Sequence, residues 1–193
     1  MFKNEKQQRV VEAAVALLNA APDRRMNAVT LNKALFYLDL ACLRDFGETV
    51  TQNTFVALDF GPVVAKYPQR VFKPLEANGL AKQLDQWDGA KPLELQKTLP
   101  RPDFLNEPRR ELAEQVGAHF ANLSSSKASD FSHDNPGWQL AYANGLRAGN
   151  PAQPIDLLIA MQQILEDDPW LHEPHSLDDA VLAAADAADG VEW

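Results

Sequence analysis

The sequence predicts an α+β domain, predominantly helical, with one small antiparallel sheet packed among its helices. Three observations carry that prediction. Apolar side chains recur at three- and four-residue spacing along most of the chain. Strand-like runs are confined to residues 54–60, 80–84 and 93–99. Proline and glycine fall between these segments, where reversals of the chain belong. At 193 residues and 46% hydrophobic content, the chain can bury one substantial core. We expect a single compact domain over residues 1–168 and an acidic C-terminal extension over 169–193.

The most constrained stretch begins at Thr30. Leu31, Leu35, Leu38 and Cys42 recur at helical spacing, Ala34 and Ala41 fill the stripe, and Phe36, Leu40 and Leu43 make the flanks apolar. A helix of that kind belongs inside a core. Thr30 is expected to cap its start, and Gly47 to end it in the left-handed conformation. Thr54 to Phe60 reads as a strand, with Val56, Leu58 and Phe60 on one face and Asp59 on the other. Gly61-Pro62 reads as a corner into a helical turn that halts near Pro68, because proline suits a first helical position.

The flanking elements follow from the same periodicities. Residues 4–21 form an amphipathic helix whose stripe is Val10, Val11, Ala14, Leu17 and Leu18, with Asn4 and Gln7 as a capping pair and Pro22 beyond its end. A helix over 69–78 turns Val71, Phe72 and Leu75 inward and stops at Gly79. Leu80–Leu84 and Leu93–Leu99 are expected to pair as a hairpin around Asp88-Gly89 and to join the 54–60 strand in one sheet. Pro100, Pro102 and Pro108 mark a linker. Leu112, Val116 and Phe120 define a helix over 107–122, and the serines at 124–126 cap a short one. Trp138, Leu140, Ala141 and Tyr142 lie on a helix over 138–145, and Gly149-Asn150-Pro151 breaks the chain after it. Ile155, Leu158, Met161, Ile164 and Leu165 then form one more amphipathic helix. Beyond it, Ser176 and Asp179 cap a weak alanine-rich helix with Leu177, Val181 and Leu182.

Charge is unevenly placed within the net −9. Residues 1–147 carry 18 Lys and Arg against 17 Asp and Glu, whereas residues 148–193 carry none against ten. Nucleic acid is therefore disfavoured as a partner, since phosphates require clustered basic side chains. Residues 1–30 hold no continuous apolar segment long enough to span a bilayer, and a single cysteine, Cys42, leaves no disulfide framework or four-cysteine zinc site. A cytoplasmic chain without a membrane role is expected.

No catalytic constellation stands out. Cys42 lies on the apolar stripe, where a thiol is packing material. His172 and His175 flank Pro174, so one helix does not present both to a metal, and no third ligand is indicated. Phosphate-cradling glycine motifs are absent from the sequence. His133 precedes Pro136-Gly137-Trp138, and its ring is expected to satisfy a backbone carbonyl in that turn. We expect no enzyme, no metal and no cofactor.

Two segments carry a resemblance. Leu31-Asn32-Lys33-Ala34-Leu35-Phe36-Tyr37, followed by Ala57-Leu58-Asp59-Phe60-Gly61-Pro62-Val63-Val64, resembles the first half of the Panacea domain of SocA-like and GepA-like antitoxins. Leu123 through Trp138, with Ser132-His133 and Pro136-Gly137-Trp138, resembles that family's second signature, with Gly137 standing between proline and tryptophan. The likeness spans about residues 5–166. It implies a compact Panacea-like fold, with Leu35, Phe36, His133, Pro136 and Trp138 as structural motif positions. It also implies an antitoxin of a bacterial or phage toxin–antitoxin pair, which neutralises a protein toxin encoded by an adjacent gene through direct binding. Lys33, Tyr37, Phe60, Gly61 and Pro62 are expected near that contact, because aromatic groups beside a rigid corner can anchor an interface. Trp170 and Trp193 are further apolar positions that a partner could cover. The alternative is an adaptor that delivers the bound toxin to a ClpXP-type protease. A DNA-binding regulator is disfavoured, because residues 124–146 contain Lys127 as the sole Lys or Arg and Arg147 follows them.

Overall fold

A computed structural model describes residues 2–84, 92–100 and 102–171. The Asp88-Gly89 turn, His172, His175, the alanine-rich helix after Ser176 and Trp193 lie outside the described residues.

Helix α1 (Glu5–Ala20) begins at Asn4 as its N-cap. Asn4 Oδ1 accepts from Gln7 N–H, and Lys3 N–H donates to Gln7 Oε1. The expected stripe of Val10, Val11, Ala14, Leu17 and Leu18 is buried. Strand β1 (Arg25–Met26) leads to helix α2 (Ala28–Phe46), which runs through the middle of the core and ends at Gly47 with φ of 74°. Its start differs from expectation. Asn27 occupies the N-cap, but its amide donates to Ser125 Oγ at 3.3 Å instead of capping, and Thr30 lies buried within the first turn.

The segment after α2 departs further from the sequence reading. Strand β2 (Phe55–Leu58) turns at Asp59-Phe60 into strand β3 (Gly61–Val64), a tight antiparallel hairpin with Leu58 opposite Gly61. Pro62 is therefore a strand residue and does not start a helix. Proline is tolerated there because β3 is an edge strand, with no ladder bond required on its outer side. That edge is covered by α2, whose Asn32 Oδ1 accepts from Val64 N–H at 3.0 Å. The buried positions of β2 are Phe55 and Ala57, while Val56 and Leu58 are half-buried, so the alternation holds with the opposite face inward.

A π-type turn (Pro68–Phe72) then starts at Pro68 instead of halting there, and runs into helix α3 (Lys73–Ala77). Pro74 has no N–H for the usual helical ladder, and Lys73 N–H reaches back to Pro68 O. Gly79 follows at φ of 62°. Strands β4 (Ala81–Gln83) and β5 (Leu93–Leu95) pair antiparallel as expected. They form a sheet of order β1-β5-β4, separate from the sheet of order β3-β2-β6, in which β6 is Gln153–Pro154. The single expected sheet is thus two, because the short turn after Leu58 supplies β2 with its own partner.

Helix α4 (Glu107–Ala121) crosses α1 at Gly117, where an added Cβ would stand 2.8 Å from Leu17 O. The linker before it is held by Glu12, which is 2% exposed and accepts from Asp103 N–H and Phe104 N–H. Helices α5 (Ser125–His133) and α6 (Pro136–Ala148) begin at the expected serine cap and at Asn135, whose side chain accepts from Gly137 N–H and Trp138 N–H. Asn135-Pro136 pairs a cap with a proline at the first turn.

The last expected helix is shorter than its apolar pattern. Helix α7 (Leu157–Ala160) is capped by Asp156 and continues as a 3₁₀ turn (Met161–Ile164). Ile155, Ala160 and Ile164 face the core, while Leu158 and Leu165 are exposed. Gly137 sets that rotation, since its position would place a Cβ 2.7 Å from Ala160 Cβ, a contact available only to small residues. The core continues to Trp170, on a final turn (Pro169–Leu171). Among the described residues, no helix is long and apolar enough to cross a membrane.

Candidate functional site

The two sequence motifs, far apart in the chain, meet at the tip of the β2–β3 hairpin. Helix α2 lies beneath that tip, and α5 with α6 clasps it from the side. Three hydrogen bonds hold its turn. Trp138 Nε1 donates to Leu58 O at 3.1 Å, Ser129 Oγ to Phe60 O at 3.1 Å, and Tyr142 OH to Asp59 Oδ1 at 3.1 Å. Each bond joins a helix to a different residue of one turn, so the turn has little freedom left.

Gly61 occupies the tightest point. Its φ is 100°, a region open to glycine, and an added Cβ would lie 2.3 Å from Ser132 Oγ and 2.8 Å from Lys33 Cε. Ser132 is fully buried, and its hydroxyl donates to Ser129 O at 2.8 Å. Pro62, next to it, is also buried.

Lys33 is the anomaly of the site. Its side chain is 0% exposed, and Nζ has no hydrogen-bond partner. Burial alone pushes the amine down to a pKa of about 7, because the ammonium form has lost its water without gaining a carboxylate. One helical turn on, Tyr37 is also fully buried and packs against the rings of Phe36, Phe120 and Phe131. Its hydroxyl donates to Gln163 Oε1 at 2.6 Å, and desolvation holds the phenol protonated beyond the ordinary tyrosine range. Gln163 also accepts from Asn135 Nδ2 at 2.8 Å and donates to Phe131 O at 3.1 Å, which ties α2, α5 and the cap of α6 into one polar knot. Leu35 and Phe36, the remaining motif positions on α2, are core.

On the outer side, His133, Trp138 and Tyr142 form a continuous stack, with ring centroids 4.3 Å and 4.7 Å apart. His133 does not bond a carbonyl of its turn as expected. Nε2 is shut off from solvent without a hydrogen-bond partner, because the ring has stacked on Trp138, and Gln139 Nε2 takes the His133 carbonyl at 2.9 Å. Pro136 is half-buried at the head of α6. Phe60 is the apolar side chain that the tip exposes, at 38%.

Of the five residues expected near a partner, Phe60 therefore reaches the surface, while Lys33, Tyr37, Gly61 and Pro62 lie behind it. Sequence reasoning passed over Ser129, Asn135 and Gln163. Asn135 was legible as a cap before proline; Ser129 and Gln163 carry no local signal, since their role exists only once α2, α5 and the 3₁₀ turn after α7 have packed. Among the described residues, no group of three or more His, Cys, Asp or Glu could hold a metal.

The profile of the family described as antitoxin SocA-like, Panacea domain, matches residues 31–139. Those residues run from the first turn of α2 into the first turn of α6 and include the hairpin with Ser129, Ser132 and Trp138, whereas Tyr142 lies beyond the match. No curated protein and no solved structure matches the chain. The matched region covers more than half of the 193 residues, and the chain belongs to the SocA-like antitoxin family that carries the Panacea domain.

Proposed function

We propose that this chain neutralises a protein toxin, the product of an adjacent gene, by binding it directly on the face made by the β2–β3 tip and the His133-Trp138-Tyr142 stack. The supporting observation is that both halves of the family signature converge on one tethered turn that exposes Phe60. An apolar side chain on a pre-ordered turn binds without the entropy cost of fixing a loop. Lys33, Tyr37, Gly61 and Pro62 act from beneath, by setting where the turn stands, and Phe60 and the outer edge of the stack make the contact. The acidic side chains Asp59 and Asp134 at the border favour a basic rim on the partner.

The test uses the purified complex of this chain with its toxin. Phe60→Ala is expected to weaken toxin binding by titration calorimetry about tenfold or more, the range of an interface anchor, in a protein whose circular dichroism shows it folded. Unchanged affinity for a folded Phe60→Ala protein, together with unchanged affinity for Tyr142→Ala, would remove this face as the contact.

A further inference from the structure

Lys33 sits where a firm part of the fold meets a lightly fastened one. It is carried by α2, whose neighbouring side chains Leu31, Leu35 and Phe36 are fully buried, and its amine ends beneath the β2–β3 tip. A Cβ built on Gly61 would lie 2.8 Å from Lys33 Cε and 3.0 Å from Nζ, so bare glycine backbone covers the amine on that side. The helix cannot move without breaking the core. The tip can. β3 pairs with β2 alone, Pro62 brings no N–H, and the turn is fastened to α5 and α6 by hydrogen bonds from Ser129, Trp138 and Tyr142 that lie in partly buried or exposed positions. Water can replace such bonds when the turn lifts.

Among the described residues, no carboxylate pairs with the amine. The titratable groups on the elements around it are engaged elsewhere or exposed. On α2, Asp39 accepts from Thr51 N–H and Thr51 Oγ1, and Tyr37 donates to Gln163. On the tip, Asp59 accepts from Tyr142 OH of α6. On α5, the His133 ring stacks on Trp138, Asp130 is exposed, and the half-buried Lys127 brings no negative charge. An ammonium at Nζ is therefore shut off from water and from any counter-ion while the turn is closed, and gains water when the turn lifts. Proton uptake and opening of the tip are one linked equilibrium.

We propose that the β2–β3 tip is a proton-sensitive latch, which closes on α5 and α6 over a neutral Lys33 amine and is loosened by protonation of Lys33 while the core stays folded. The purpose of the latch rests on the toxin-binding reading, since Phe60 rides on the turn and the toxin face is weakened as pH falls. The closed-state pKa of about 7, against 10.5 for the amine in water, sets the window. Between those values opening takes up one proton, so the opening constant rises about tenfold for each unit of falling pH, and it levels off lower down, where both states are charged.

The full chain, free of toxin, is followed by hydrogen exchange read by NMR, as protection factors, which remove the intrinsic pH dependence of exchange. The probes are the Gly61 amide and the Trp138 indole N–H at the tip, with the buried Val116 of α4 as the core reference. Tip protection is expected to stay below that of Val116, to fall about tenfold from pH 9 to pH 8, and to lose that fall in Lys33→Met. The Cε resonance of Lys33 is expected to titrate near pH 7. The latch is overturned by equal protection of Gly61 and Val116 at every pH, by the same pH dependence in Lys33→Met, or by a Lys33 resonance that titrates in the ordinary lysine range. None of these readouts involves the toxin, so loss of the toxin-binding reading would leave the latch standing, and loss of the latch would leave that reading standing.

Discussion

Lys33→Met is expected to raise the free energy of unfolding by about 1–4 kcal/mol at pH 7, the range for replacing a buried ion pair by apolar side chains of similar volume. Methionine reproduces the alkyl stem that packs under the hairpin and removes an amine that is 0% exposed and unpartnered. The pH dependence identifies the cause. Burial lowers the Lys33 pKa from 10.5 to about 7, so between those values the unfolded chain holds more protons than the folded one. Stability conferred by the neutral amine therefore grows as pH rises through that window, and the penalty is complete below pH 7. The gap between Lys33→Met and the parent is expected to narrow by about 2 kcal/mol from pH 7 to pH 9, measured by urea unfolding. Taking the difference removes the other buried groups from the comparison. Cys42, pushed up to about 12 by burial, destabilises above its ordinary range in both proteins. Asp39, raised to about 7 by burial although Thr51 donates to it, loses stability from about pH 4 to 7 in both. If the gap stays constant with pH, Lys33 is not the titrating group. A chain that keeps a lone buried amine gives up stability for it, and the expected functional signature is a more stable Lys33→Met protein that neutralises its toxin less well.

Gly61→Ala is expected to have the opposite effect, destabilising the domain by about 2–5 kcal/mol. Two costs add. A side chain at φ of 100° is strained, by about 1–2 kcal/mol or more, and the new methyl must displace Ser132 Oγ and the end of Lys33 in a closed site, worth about 1–3 kcal/mol. Ser132→Ala removes the nearer obstacle. The double variant Gly61→Ala/Ser132→Ala is expected to recover part of the loss, giving a coupling between the two sites of about 1 kcal/mol or more in a double-mutant cycle of urea unfolding. Additive effects would mean that Gly61 is required for its backbone conformation alone.

The comparison of sequence and structure divides along physical lines. Features written in local chemistry were legible: the Asn4–Gln7 box, the serine cap of α5, Gly47 and the α4 stripe each depend on neighbours within one turn. Pro62 misled because proline after glycine is compatible with both a helix start and an edge strand, and the choice was made by Asn32 on α2, which accepts the Val64 N–H. Periodicity also hid the polar side of α2. The apolar stripe says nothing of where Asn32, Lys33 and Asp39 point, yet all three are buried against β3, the hairpin tip and the Thr51 loop. At α7, an apolar count placed Leu158 and Leu165 inward, whereas the close Gly137–Ala160 contact turns them out. The motif residues were found, but burial of four of the five expected contact residues could not be read from their types.

The central claim is neutralisation by direct binding, and one experiment addresses it most directly. The adjacent gene is expressed alone and then together with this chain, growth is followed, and the toxin is quantified by immunoblot and by co-purification. Rescue of growth with the toxin still abundant and co-purifying in a stable complex is the expected result. Rescue accompanied by disappearance of the toxin, or a harmless neighbour that fails to bind, would contradict it.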